Sequence, residues 1–209
     1  CPDGDEHQHP GAAIVDGDRA SVARLGVGNA IAQPYHHIIL PLASRRDKVT
    51  EVRWGIRDFR RRFGRDPEGM WLPETAVDSE TLEVLAQEGI RFTVLSPHQV
   101  TSPPPHGRPG RWRSGAHELA IFCYDGALAH DIAFSDVLRD TTGWHARIAA
   151  MPMADDGPTI TSVATDGETF GHHHRSGDLA LAALLDQVEQ DPTTQMTNFG
   201  ALLPAHPPV

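Results

Sequence analysis

The stretch GMWLPETAVDSETLEVLAQEGIRFTVL, residues 69–95, contains a complete β–α–β pattern. It opens with a short apolar run that predicts a buried strand ending at the carboxylate of Glu74. Asp78 is a suitable N-cap for the helix that follows, and Gly89 is placed to end that helix. The closing IRFTVL is rich in β-branched and aromatic side chains and predicts a second strand. Two strands joined by a helix are the unit from which parallel sheets are built.

The same alternation of strands and helices continues on both sides of this unit. Residues 45–63 carry apolar side chains at spacings of three and four, which predicts an amphipathic helix that Gly64 would end. The Pro-, Gly- and Arg-rich residues 101–115 indicate a surface loop. We predict further strands at residues 38–42, 118–124 and 159–164, and further helices at residues 135–150 and 177–188.

Polar residues stand just past the ends of four predicted strands, namely Glu74, His98, Asp125 and Asp166. Parallel α/β folds gather their binding and catalytic groups at this end of the strands. No Gly-rich phosphate-binding motif follows the first strand, which disfavours a nucleotide-binding sandwich. Only about five strands are predicted, against roughly eight in a closed barrel. We therefore expect an α/β fold of the parallel β/α barrel type, incomplete in this chain.

The composition restricts the partners. The 209 residues carry a formal charge of −10, which argues against nucleic acid or an anionic membrane and is compatible with a neutral sugar polymer. Only Cys1 and Cys123 occur, and Cys123 lies in an apolar run, so we expect a reducing, cytoplasmic location. No run approaches the roughly 20 apolar residues of a membrane span.

Glu74 and Asp166 form a candidate pair for cleaving a glycosidic bond. Such cleavage needs one carboxyl group beside the anomeric carbon and another that protonates the leaving oxygen. Trp71 is a flat amphipathic side chain of the kind on which sugar rings stack. For Glu74 alone, an ordinary loop carboxylate or a helix-capping group is an equally good interpretation.

Residues 164–175, ATDGETFGHHHR, concentrate two acids, three histidines and an arginine after a β-rich run. A binding or catalytic site accounts for this cluster, and a metal-binding tract or a solvated loop is the alternative. Zinc-binding histidines are usually spaced three to five residues apart, whereas these three are consecutive. We therefore predict neither a protein-bound metal nor another cofactor.

Three strings resemble successive motifs of glycoside hydrolase family 57, particularly of its bacterial members. They are GNAIAQPYHHIILPL at residues 28–42, GMWLPETAVD at residues 69–78 and ATDGETFGHHHRSGD at residues 164–178. The resemblance implies a retaining mechanism on α-glucans, in an incomplete seven-stranded β/α barrel without a metal cofactor.

The resemblance also implies roles for individual residues. Glu74 occupies the place of the family nucleophile, and Asp166 the place of the general acid/base. His37 matches a substrate-contacting histidine, and Glu168 and His172 match further positions of the acid motif. To these substrate-binding candidates we add Trp71, Asp125 and His173.

The resemblance covers the chain from about residue 20 onward. Relatives carry an N-terminal H-x-P motif, and His7-Gln8-His9-Pro10 fits its letters without a preceding strand. We therefore expect a fragment that lacks this region. The predicted organisation is a polar stretch at residues 1–26, a partial barrel with the catalytic residues at 27–190 and a Pro-rich tail at 191–209.

Two other functions remain open. One is a metal-dependent carbohydrate esterase that uses His36, His37, Asp125 and the tract of His172, His173 and His174. The other is a non-catalytic module that binds glucan in the same groove.

Overall fold

The computed structural model describes residues 10–150 and 158–209, which form two compact units. The first contains the described residues up to Thr93, with Trp112–Ala120 and Asn198–Ala205. The second contains Val94–Arg111, the described part of Ile121–Thr197, and His206–Val209. The helices are α1 (Pro10–Leu25), α2 (Arg45–Phe63), α3 (Ser79–Gln87), α4 (Gly126–Phe134), α5 (Thr141–Ala149), α6 (Gly177–Gln190) and α7 (Phe199–Ala205). The strands are β1 (Phe92–Leu95), β2 (Gly110–Ser114) and β3 (His117–Cys123).

The fold is mixed α/β, which confirms the predicted class. The predicted helix at residues 45–63 is α2, and its ends follow from local chemistry. The Ser44 side chain accepts a hydrogen bond from the amide of Asp47, and Gly64 ends the helix with a φ of 70°. In α3, Asp78 is the N-cap and accepts from the amide of Thr81. The predictions for α6 and β3 are also confirmed.

The buried face of α2 contains polar residues as well as apolar ones. Val52, Ile56 and Phe59 are buried in the first unit, and Lys48 and Glu51 are buried beside them. The unit therefore requires polar partners for both side chains, because an unpaired buried charge is costly.

Lys48 ties α2 to the start of α3. Its ammonium group lies 2.8 Å from Asp78 Oδ2 and 2.9 Å from Glu80 Oε2, and its side chain is 1% exposed. Burial alone would lower the pKa of Lys48, but the hydrogen bonds to the two carboxylates raise it. Burial likewise opposes ionisation of Asp78, yet the hydrogen bonds from Lys48 and Thr81 hold its pKa below the ordinary value.

The sheet is smaller than predicted. It has three strands in the order β1-β3-β2, and all four residues of β1 are buried. The predicted strand at residues 69–74 is reduced to parallel bridges of Gly69 with Phe92 and of Met70 with Ala32. Pro73 has no amide hydrogen for a ladder, and the chain turns directly after it.

Two other predicted strands are wrong. Residues 38–42 include the 3₁₀ turn Leu40–Leu42, where the amides of Leu42 and Ala43 bond locally. Residues 159–164 are irregular, because their backbone groups bond to separate partners. The Ile160 amide donates to the His106 carbonyl, whereas the Ser162 carbonyl accepts from the amide of Asp125.

Regular structure occurs where we predicted a loop or a polar terminus. The predicted loop at residues 101–115 contains β2, which pairs with β3. The polar N-terminal stretch contains α1, and the Pro-rich tail contains α7. Phe199 of α7 packs in the first unit against Phe92, with ring centroids 5.7 Å apart.

The second unit has a helical core. The predicted helix at residues 135–150 is shorter than expected and is preceded by α4, which was not predicted. The buried core side chains are Leu128, Ile132, Leu138, Trp144, Ala180, Leu184 and Val188.

Among the described residues, no helix combines the length and the apolar character needed to cross a membrane.

Candidate functional site

His37 lies in a tight turn held against α2 in the first unit. The His37 amide donates to the Pro34 carbonyl at 3.3 Å, and His37 itself has a φ of 53°. Left-handed backbone is uncommon for a residue with a side chain and must be supported by its surroundings. The support comes from Glu51, whose carbonyl accepts from the Tyr35 amide at 3.2 Å and whose Oε2 accepts from the His36 amide at 2.8 Å.

Glu74 lies in the second strained turn of this unit, the 3₁₀ turn Pro73–Thr75. Its φ and ψ are 56° and 19°, and Thr75 also has a positive φ of 51°. Leu72 anchors the turn because it is completely buried, whereas 77% of the Glu74 side chain is exposed. The turn therefore presents the carboxylate to solvent on a backbone that the buried residues hold in place.

The two turns bring the predicted nucleophile and the predicted substrate contact together. Nε2 of His37 lies 3.9 Å from Oε1 of Glu74, and the His37 side chain is 56% exposed. An exposed pair of this kind contributes at most about 1 kcal/mol to folding. Its arrangement is therefore more informative about chemistry than about stability. Trp71 is half-buried three residues before Glu74, and its amide donates to the Ala32 carbonyl at 2.8 Å.

In the second unit, the predicted acid/base lies at the start of a compact loop. Asp166 precedes the 3₁₀ turn Gly167–Thr169, and its carbonyl accepts from the Thr169 amide at 3.0 Å. Thr169 is 3% exposed, and its hydroxyl lies 3.1 Å from that of Thr165. The buried threonine therefore anchors the loop, while the side chain of Asp166 is exposed.

The histidine tract is divided between exposed and anchoring residues. The amides of His172 and His173 donate to the Glu168 carbonyl at 3.0 and 2.9 Å, and all three side chains are exposed. His174 is different, since its Nε2 donates to the Ala133 carbonyl at 2.8 Å. This bond occupies the ring nitrogen and ties the loop to the end of α4.

Asp125 has a structural function in the second unit. Its Oδ1 accepts from the Leu128 amide at 2.9 Å, which caps α4, and its own amide donates to the Ser162 carbonyl at 2.8 Å. The predicted role of Asp125 in substrate binding stays a prediction.

Residues 10–150 and 158–209 contain no group of three or more His, Cys, Asp or Glu side chains suitably arranged for a metal ion. Two histidines of the esterase alternative already have partners within their own units. His36 Nδ1 donates to Glu51 Oε1 at 2.7 Å, and His174 donates to the Ala133 carbonyl.

Glu74 and His37 belong to separate sequence motifs, and the structure brings them together in the first unit. Asp166, Glu168, His172 and His173 share one loop in the second unit. Glu51 was missed. Its signal was available, because Glu51 lies beside Val52 on the apolar face of a predicted helix, where an unpartnered acid would be unfavourable.

Comparison with known proteins gives a family match and several distant relatives. The model of the family described as glycosyl hydrolase family 57 matches residues 21–205. The 4-alpha-glucanotransferase of Thermococcus litoralis is 22% identical over 155 residues, covering 72% of this chain and 23% of that protein. Alpha-amylase 1 of Dictyoglomus thermophilum is 25% identical over 154 residues, covering 72% of this chain and 22% of that protein. The chain thus spans less than a quarter of the length of these two curated relatives.

Solved structures show the same fold. The crystal structure of the Thermococcus litoralis 4-alpha-glucanotransferase matches with a TM-score of 0.75 at 20% identity, covering 93% of this chain and 31% of that chain. The branching enzyme of Pyrococcus horikoshii matches with a TM-score of 0.71 at 16% identity, covering 88% of this chain and 46% of that chain. At these identities the likeness concerns the fold alone.

Proposed function

Because the chain belongs to glycosyl hydrolase family 57, we propose that it forms part of an enzyme that cleaves or transfers α-glucan chains, with Glu74 as nucleophile and Asp166 as general acid/base. The family match at residues 21–205 includes both carboxylates. The choice of an α-glucan is supported by relatives named 4-alpha-glucanotransferase, alpha-amylase and branching enzyme.

The observation that carries the proposal is the pairing of Glu74 with His37. A carboxylate that is 77% exposed on a left-handed backbone, 3.9 Å from an imidazole, has little structural purpose. Unfavourable backbone conformations of this kind concentrate at functional sites, where the surrounding structure maintains them.

In the first step, the carboxylate of Glu74 attacks the anomeric carbon of a bound glucose unit. The bond to the glycosidic oxygen breaks as an ester bond to Glu74 forms, and Asp166 gives its proton to the departing oxygen. His37 holds the Glu74 carboxylate or a neighbouring sugar hydroxyl in place.

In the second step, Asp166 removes a proton from water or from a sugar hydroxyl, which attacks the anomeric carbon and releases Glu74. Water as acceptor gives hydrolysis, and a sugar gives transfer. Trp71 provides a stacking surface, while Asp125, Glu168, His172 and His173 contribute polar contacts to the sugar.

We extend the proposal to an incomplete β/α barrel. The parallel bridges of Ala32 with Met70 and of Gly69 with Phe92 support this architecture in the first unit. The Ala120 amide also donates to the Arg91 carbonyl there. The segments that contain Ala32, Met70, Phe92 and Ala120 thus lie side by side in sequence order, as in a barrel, whereas β2 departs from this order and pairs with β3.

The proposal is tested by incubating the chain with maltoheptaose and separating the products by chromatography. Shorter sugars alone indicate hydrolysis, whereas a mixture of shorter and longer sugars indicates transfer. Glu74→Gln must abolish both. Turnover that persists in Glu74→Gln would contradict the proposed nucleophile.

A further inference from the structure

We propose that Glu51 is a positioning residue that holds His37 against Glu74. The inference rests on the proposed function of Glu74 as nucleophile. Glu51 does not contact Glu74 and acts through the turn Pro34–His37, which we call the His37 turn. Its side chain is only 11% exposed, so its charge faces protein groups more than water.

Every acceptor group of Glu51 is directed at the His37 turn. Its two carboxylate oxygens accept from the amide of His36 at 2.8 Å and from the His36 ring at 2.7 Å. Its backbone carbonyl accepts from the Tyr35 amide at 3.2 Å. Hydrogen bonds to a carboxylate are about twice as strong as neutral ones, so this residue is a strong anchor for the turn.

Gly55, one helical turn after Glu51, allows the segment around Gln33 to lie unusually close to the backbone of α2. A Cβ atom at Gly55 would lie 2.0 Å from the carbonyl oxygen of Gln33, where backbone cannot move aside easily. The His37 turn is therefore held on α2 by the polar bonds at Glu51, and the residue that precedes it, Gln33, lies in close backbone contact with Gly55.

A cluster of three rings packs one side of the His37 turn against α2. The rings of Tyr35 and His36 are 4.8 Å apart, and each lies 5.8 Å from the ring of Trp54 on α2, in edge-to-face contacts. Aromatic rings prefer this arrangement. Together these contacts fix the position of His36 and therefore the backbone position of the next residue, His37.

His37 depends on this support because its φ of 53° is unfavourable. Without the anchor, the turn can relax to ordinary backbone angles, which would direct the imidazole away from Glu74. Because Glu51 lies on the rigid helix α2, its hydrogen bonds to the His37 turn hold the exposed His37 in a defined position.

The kinetic test compares Glu51→Ala with Glu51→Gln on maltoheptaose. We expect Glu51→Ala to lower kcat on the order of 10²-fold, as a small misplacement of a catalytic group does, with KM little changed. Glu51→Gln should restore most of the rate, because its amide oxygen still accepts from the His36 amide. An unchanged kcat in Glu51→Ala would overturn the proposal.

The control is Asp18→Ala, which removes another buried carboxylate of the first unit, bonded to Arg65 and the Ala30 amide. It should lower stability while kcat stays unchanged at temperatures where the chain is folded. Equal losses of kcat in both variants would reduce Glu51 to a merely stabilising residue. If Glu51→Ala does not fold, Gly55→Ala makes the same test, since its Cβ would displace Gln33 and with it the start of the His37 turn at Pro34.

A second readout separates this inference from the proposed function. In the ¹⁵N-histidine-labelled chain, Glu74→Gln should shift the His37 Nε2 resonance, and the shift should disappear when Glu51→Ala is present as well. If Glu74→Gln does not affect turnover, the proposed function fails while this resonance still tests the positioning. If the resonance responds equally with and without the Glu51→Ala substitution, the positioning fails and the function of Glu74 stands.

Discussion

Nε2 of His37 lies 3.9 Å from Oε1 of Glu74, and both residues have left-handed backbone, with φ values of 53° and 56°. Two unfavourable turns thus meet at one exposed pair. Each turn has its own buried anchor, Glu51 for the first and Leu72 for the second. A surface pair of this kind adds little stability, so folding does not explain the cost of the two turns, which is consistent with the catalytic role proposed for Glu74.

Replacing Glu74 by Gln should lower the turnover of maltoheptaose on the order of 10³-fold or more, because an amide does not form the ester intermediate. The melting temperature should stay unchanged, since the side chain is exposed. Glu83→Gln, a substitution on α3 outside the proposed site, is the matched control. Comparable rates for the two variants would contradict the assignment.

Replacing Asp166 by Asn should have an effect that depends on the leaving group. Cleavage of maltoheptaose requires protonation of the departing oxygen, whereas fluoride leaves without a proton. Asp166→Asn should therefore lose the first activity and keep much of the initial burst of fluoride release from α-maltosyl fluoride. Equal losses on both substrates would argue against a general acid at this position.

The ion pair of Asp18 with Arg65 should make the free energy of unfolding depend on pH. The hydrogen bond from Arg65, with another from the Ala30 amide, holds the pKa of Asp18 below its ordinary value of 3.8. A lowered folded-state pKa stabilises the fold above the unfolded-state pKa, and this contribution is lost as the pH falls through the folded-state pKa. The stability gap between wild type and Asp18→Asn in urea should therefore be larger at pH 7 than at about pH 3.

The control for this experiment is Asp16→Asn, also on α1, where the partner Arg19 is exposed. We expect a gap of less than about 1 kcal/mol at both pH values. A gap for Asp18→Asn that is independent of pH would show that its ion pair with Arg65 is not responsible.

Lys48→Met should destabilise the chain by about 2 kcal/mol, a value between those of exposed and buried ion pairs. The reason is that Asp78 loses its cation while its carboxylate stays partly buried. Arg45→Met removes an exposed partner of the same Glu80 and should cost less than about 1 kcal/mol in urea denaturation. Equal losses would mean that burial of Lys48 contributes nothing.

Local chemistry determined which features were predictable from sequence. The limits of α2 and the cap at Asp78 depend on residues within one turn, so they were predicted correctly. The pairing of β2 with β3 and the packing of Phe199 on Phe92 depend on distant partners, so β2 and α7 were missed. Predicted strands failed where Pro41 and Pro73 allowed short turns to replace the ladder.

For the candidate site, the sequence predicted which residues to consider but not the contacts that position them. Motifs identified Glu74, His37 and Asp166, whose roles stay predictions. An acid on the apolar face of α2 indicates that Glu51 needs a partner, but not that this partner is the His36 amide, 15 residues away. The φ of 56° at Glu74 belongs to a turn that follows the buried Leu72, and no motif specifies that angle.

The most direct test of the central claim is to trap the intermediate on Glu74. An α-maltosyl fluoride with a second fluorine at carbon 5 loses fluoride readily, while the glycosyl ester it forms hydrolyses slowly. Mass spectrometry of the digested chain should then find one maltosyl-derived group on the peptide that contains Glu74, and none in Glu74→Gln. A glycosyl group on another carboxylate, or release of fluoride with inversion and without any adduct, would contradict Glu74 as the nucleophile.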